Sequence, residues 1–101
     1  MSESKTIARP YASACFDVAQ ETGNTDDWLL FLEAAAEVVK DEAMLNLVKS
    51  PGIDKQELAK TIVAISNEAS GISGSDERRN FILLLSQNNR LEALTEIKKQ
   101  F

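Results

Sequence analysis

Phe81-Ile82-Leu83-Leu84-Leu85 lies between an acidic opening, Asp76-Glu77, and a break, Asn88-Asn89. This framing predicts a helix, because acidic side chains favour the positive end of the helix dipole and asparagine favours a stop. Wound at ~100° per residue, the five apolar side chains cover nearly the whole circumference and leave polar character mainly toward Arg79 and Ser86. One buried face needs only a stripe. Two readings follow. Either the helix is central and buried on all sides by its own domain, or Phe81 and Leu85 face the core while Leu83 and Leu84 face a groove rimmed by Asn80 and Gln87.

Upstream, Gly71-Ile72-Ser73-Gly74-Ser75 reads as a connection within one domain, too short to link two. Asp54 and Glu57 have capping-box spacing and open a fourth helix carrying Leu58, Ile62 and Ile65. Asp41 caps a short third helix with Met44, Leu45, Leu47 and Val48, stopped by Ser50-Pro51-Gly52. Thr25 to Lys40 reads as the second, with Asp26 and Asp27 at its start and Trp28, Phe31, Leu32, Ala35 and Val39 at helical spacing. Trp28 is expected in the core, with a partly exposed rim position as the alternative. The first helix is expected over residues 6–21, with Thr6 as cap, Pro10 near the first turn and Gly23-Asn24 as the stop. Downstream, Asn89 and Glu92 repeat the capping spacing before a sixth helix with Leu94, Ile97 and Phe101. No strand pattern and no fixed-period repeat occurs. The expectation is one all-α domain over residues 1–101, a compact bundle of six short helices. Stopping on an apolar Phe101 inside a helical pattern points either to a truncated chain, the preferred reading, or to a boundary next to a further domain.

At 101 residues, 44% hydrophobic and 27% charged, the chain can bury a core of its own. A net charge of −5 opposes attraction to phosphate backbones, so nucleic acid is not expected as a partner. Cys15 has no disulfide partner, and no N-terminal pattern resembles a secretory signal or transit peptide, which points to a reducing, cytoplasmic setting and an unprocessed bacterial chain. No apolar stretch nears the ~20 residues that span a bilayer, so membrane association is expected only through another protein.

The residues offer no assembled chemistry. Without histidine there is no Ser-His-Asp or Cys-His arrangement, and one cysteine supplies too few soft ligands for zinc. No metal and no cofactor is expected. The pairs Asp26-Asp27, Asp41-Glu42 and Asp76-Glu77 read as helix-start electrostatics, since adjacent helical residues point apart. Gly71 and Gly74 lack the Lys-Ser/Thr of a phosphate loop. Arg78-Arg79 and Lys98-Lys99 read as solvated faces, and Cys15 as a small buried hydrophobe.

The first helix carries two apolar stripes. Ala8, Ala12, Cys15, Phe16 and Ala19 share one arc, suited to close helix packing, while Ile7, Tyr11, Ala14 and Val18 share the next. The second stripe, with its rigid aromatic and polar hydroxyl, has the composition of a partner-binding surface.

Ala8-Arg9-Pro10-Tyr11-Ala12, with Phe16 and Ala19, resembles the opening of the delta subunits of bacterial F-type ATP synthase. Phe81-Ile82-Leu83-Leu84-Leu85, then Asn88-Asn89-Arg90-Leu91, Leu94, Ile97 and Phe101, is similar to the close of their N-terminal domain. Asn89 stands where the family more often has Gly or Lys. The resemblance spans essentially the whole chain. It implies a six-helix domain homologous to the mitochondrial oligomycin-sensitivity-conferring protein, sitting on the catalytic head and catalysing nothing itself. It further implies a groove between the first and fifth helices that receives the amphipathic N-terminal helix of an alpha subunit. A separate C-terminal domain, missing from this chain, would join the b-subunit stalk. Such a stator couples proton flow to ATP synthesis, peripheral to the cytoplasmic side of the bacterial inner membrane. Carried onto this sequence, the groove falls on Ile7, Tyr11, Ala14, Val18, Asn80, Leu83, Leu84 and Gln87. The main rival is a helical adaptor for some other amphipathic helix, and a helical regulator of transcription is a weaker one.

Overall fold

A computed structural model describes residues 2–101 of the chain, with side chains from residue 4 onward. Its order is α1 (Ser2–Thr22), α2 (Thr25–Lys40), α3 (Glu42–Lys49), α4 (Lys55–Ser70), α5 (Asp76–Gln87), a 3₁₀ turn (Leu91–Ala93) and α6 (Leu94–Gln100). The described residues form an all-α bundle of six helices and contain no strand. None of those helices is long and apolar enough to cross a membrane.

The caps explain most boundaries. The Asp41 carboxylate accepts from Met44 N at 3.1 Å, and Asp54 accepts from Gln56 N at 2.9 Å and Glu57 N at 3.2 Å. Ser75 Oγ accepts from Arg78 N at 3.3 Å. At the far end of α4, Gly71 takes φ +73°, the left-handed conformation that closes a helix and that a Cβ disfavours.

Two helix-boundary expectations need correction. α1 begins at Ser2 rather than Thr6, so Pro10 stands inside the helix and withholds one N–H from its ladder. The sixth helix is entered without an asparagine cap. Asn89 has φ +58°, its side-chain oxygen accepts from Lys55 Nζ, and the chain passes through the 3₁₀ turn before α6. Asparagine tolerates that backbone region better than most residues, and so serves as a turn.

α2 is the hub. α4 packs along one side of it and α6 along another, while α5 pairs with α4 and α1 pairs with α6. The small stripe Ala8, Ala12, Cys15 and Ala19 is fully buried in the core against which Leu94 and Ile97 pack. Trp28, Phe31, Leu32, Ala35, Ala36 and Val39 make α2 the largest contributor, and Trp28 is a core residue at 1% exposure. Phe81 meets it edge-on, ring centroids 5.6 Å apart. Phe16 leaves the alanine stripe to stand half-buried against Phe101, edge-on at 5.2 Å.

Arg78 departs from the expectation of a solvated doublet. It is 4% exposed, its Nη2 donates to Ser73 O at 2.6 Å, and its guanidinium lies over the Phe31 ring at 5.8 Å. Arg78 precedes Ile82 and Leu85 by one and two turns, so it shares their core face, and its head reaches the connecting loop. Arg79 is exposed and pairs with Asp76 at 3.1 Å.

Candidate functional site

Helical winding brings two groups of side chains to adjacent faces of α1 and α5, and tertiary packing decides what they meet. α1 and α5 lean on other helices without packing along each other. Between them opens a cleft of about 300 Å³ lined by Ala14, Cys15, Val18, Trp28, Glu77, Asn80, Phe81 and Leu84. Cys15, Trp28 and Phe81 are buried and form its floor, while Ala14, Asn80, Leu84 and Glu77 are exposed along its walls. Leu84 is 45% exposed, far more than an unpartnered leucine in a core would be. The Trp28 indole N–H, at the floor residue, has no acceptor among the described residues.

Of the residues singled out by sequence, Ala14, Val18, Asn80 and Leu84 line this cleft. Gln87 is exposed, one turn beyond Leu84. Leu83 is half-buried against the core and does not line the cleft, being ~100° around α5 from Leu84. Tyr11 is half-buried, and its hydroxyl accepts from Asn88 Nδ2 at 3.1 Å. Ile7 lies beyond that bridge, in a separate depression of about 400 Å³ shared with Asn89, Arg90 and Ala93. The α1 stripe therefore borders two depressions, and the Tyr11–Asn88 bond stands between them.

Sequence reasoning missed the cleft's floor and its acid. Glu77 precedes Asn80 by three residues and Leu84 by seven, so the winding puts it on their face as well as at the helix start. Nothing local to Trp28 could place it under a cleft formed by α1 and α5. Two groups here are electrostatically shifted. Burial raises the Cys15 thiol from 9.0 to about 12. Its own backbone N–H and the Ser75 hydroxyl, which donates to Oε1 at 3.0 Å, hold the Glu77 carboxyl below its ordinary range.

The family model described as ATP synthase delta (OSCP) subunit matches residues 7–101. The chain belongs to this family. It is 38% identical over its full length to the ATP synthase subunit delta of Nitrosospira multiformis and of Marinobacter nauticus, and 40% identical to that of an Enterobacter species. In each case it covers 54% of the relative, so the chain spans about half the length of the curated relatives it matches.

Proposed function

We propose that this chain is the helical N-terminal domain of a delta subunit, a non-catalytic part of the stator of F-type ATP synthase. In this reading the α1/α5 cleft receives the amphipathic N-terminal helix of one alpha subunit and so fixes the domain to the catalytic head. A further domain outside these 101 residues would join the b-subunit stalk, and the whole would hold the head still against rotor torque so that proton flow drives ATP synthesis. The site is then peripheral to the cytoplasmic face of the bacterial inner membrane, with no nucleic-acid or cofactor role.

The observation that carries this reading is the apolar cleft itself, walled by exposed Leu84, Ala14 and Asn80 on two helices that do not pack along each other. Helix-in-groove recognition uses such a surface. Covering each large apolar side chain stabilises a complex by about 1.5–3 kcal/mol before association costs are subtracted.

The test is a chemical-shift titration of the 101-residue chain with a peptide copying the alpha-subunit N-terminus. Shifts should concentrate on Ala14, Val18, Asn80 and Leu84. Leu84→Asp should abolish binding while its thermal midpoint stays nearly unchanged, as for an exposed position, where substitutions cost about 0.5 kcal/mol or less. No binding at micromolar peptide sinks the assignment. Equal binding of an unrelated amphipathic helix would favour the general adaptor instead.

A further inference from the structure

The two ends of the cleft differ in charge. At one end, where α1 finishes and α5 starts, Glu77 lines the cleft. Asp17 and Glu21 follow Ala14 and Val18 by three residues on α1, next to the cleft wall. All three carboxylates are exposed, and among the described residues none of them makes an ion pair, whereas neighbouring Asp76 is engaged by Arg79. Its own first-turn N–H and the Ser75 hydroxyl hold the Glu77 carboxyl below its ordinary range. The opposite end is closed by the neutral Tyr11–Asn88 hydrogen bond, with uncharged Gln87 beside it.

An apolar trough with carboxylates at one mouth complements a helix that is apolar along one face and basic at one end. We propose that Glu77, with Glu21 and Asp17, is a specificity determinant of the cleft and selects an amphipathic helix whose lysine- or arginine-bearing end lies beside Val18. This rests on the reading of the cleft as a helix-binding groove. An acidic helix end would meet repulsion there, and so would a second copy of this chain presenting the same mouth, since its net charge is −5. Charges at such a rim act through encounter rate and discrimination, and salt screens them within ~8 Å at physiological ionic strength.

The experiment titrates the alpha-subunit N-terminal peptide into the parent chain and into Asp17→Asn/Glu21→Gln/Glu77→Gln by calorimetry, at ~20 mM and ~500 mM salt. Glu57→Gln, an exposed first-turn acid on α4 away from the cleft and paired with Lys60, serves as a control for losing a carboxylate elsewhere. The triple variant should bind about five- to twenty-fold more weakly at low salt, with the gap closing to about two-fold or less at high salt and the control unchanged. A nitroxide on the peptide's more basic end should broaden the Val18 and Glu77 amides more than those of Tyr11 and Asn88. Equal or tighter binding by the triple variant at low salt, with Leu84→Asp still abolishing binding, overturns the charge inference and leaves the groove standing. A nitroxide pattern biased toward Tyr11 and Asn88 overturns it as well. Failure of the parent chain to bind the peptide takes both readings down.

Discussion

Phe81 stands at the boundary of core and cleft: its ring is edge-on to Trp28, 7% exposed, and part of the cleft floor. Three residues on, Leu84 points the other way. Phe81→Ala should cost about 3–5 kcal/mol in urea unfolding, the usual toll for emptying a buried aromatic site, whereas Leu84→Asp should register only in binding. A Phe81→Ala variant as stable as the parent would reverse this division of the helix. Cys15 supplies a pH test. Its thiol keeps its proton up to about pH 12 when folded but has an ordinary value of 9.0 when exposed. Across that window the folded state binds the extra proton, so this contribution is complete below about pH 9 and is lost as pH rises toward 12. Stability measured at about pH 8 and about pH 10 should fall more steeply for the parent than for Cys15→Ala, and equal slopes would refute the burial effect. The arginine at position 78 was illegible for the opposite reason. Its type says solvent, and only its register with Ile82 and Leu85 says core.

At the scale of the element, the caps are the most readable feature because they depend on residues two or three apart. Asp41 and Asp54 bond the backbone N–H groups that capping spacing assigns them. Asp54→Ala should therefore cost about 1 kcal/mol, seen as a lower urea midpoint at unchanged slope. An unchanged midpoint would mean that water replaces the carboxylate without loss. Asn89 shows where local reading fails. The same Asn-x-x-Glu spacing precedes α6, yet Asn89 turns the chain at positive φ and spends its side chain on Lys55, 34 residues away in sequence. Pro10 is a second case. Its missing N–H suggested an early helix position, but α1 extends a further eight residues toward the N-terminus. Within the added stretch, Lys5 O accepts from Gln100 Nε2 of α6 at 3.0 Å, a contact 95 residues away in sequence that no local pattern announces.

For the molecule as a whole, the cleft exists because α1 and α5 are held by α6, α2 and α4 instead of by each other. A radius of gyration of 12.5 Å, against ~13 Å expected for a domain of this size, leaves the cleft as a surface feature of a tightly folded chain. An occupant that binds only the folded state must then raise the thermal midpoint. At a hundredfold excess over Kd the gain is about 2.7 kcal/mol, or roughly 10–20 °C for a domain of this length. Differential scanning fluorimetry with the alpha-subunit peptide should show that shift, and Leu84→Asp should erase it. A shift retained in the variant would place the binding surface elsewhere.

The sequence alone determined that this chain folds as six helices, where most of them start and stop, and which side chains share a stripe on each. Those properties follow from helical periodicity and from caps acting over a few residues. Only the tertiary structure decided which stripes meet. Tyr11 and Asn88, 77 residues apart, come into hydrogen-bond contact, Ile7 falls in a different depression from Ala14 and Val18, and Trp28 of α2 becomes floor to a cleft between two other helices. The crossing of α1 and α5 over the rest of the bundle depends on how the Ala8-Ala12-Cys15-Ala19 stripe and the Phe81-Ile82-Leu85 face pack against residues distant in the chain. No local pattern encodes that packing. The apolar run from Phe81 to Leu85 thus announced an excess of hydrophobic surface, and the bundle divided it, sending Leu83 against the core and leaving Leu84 at the cleft.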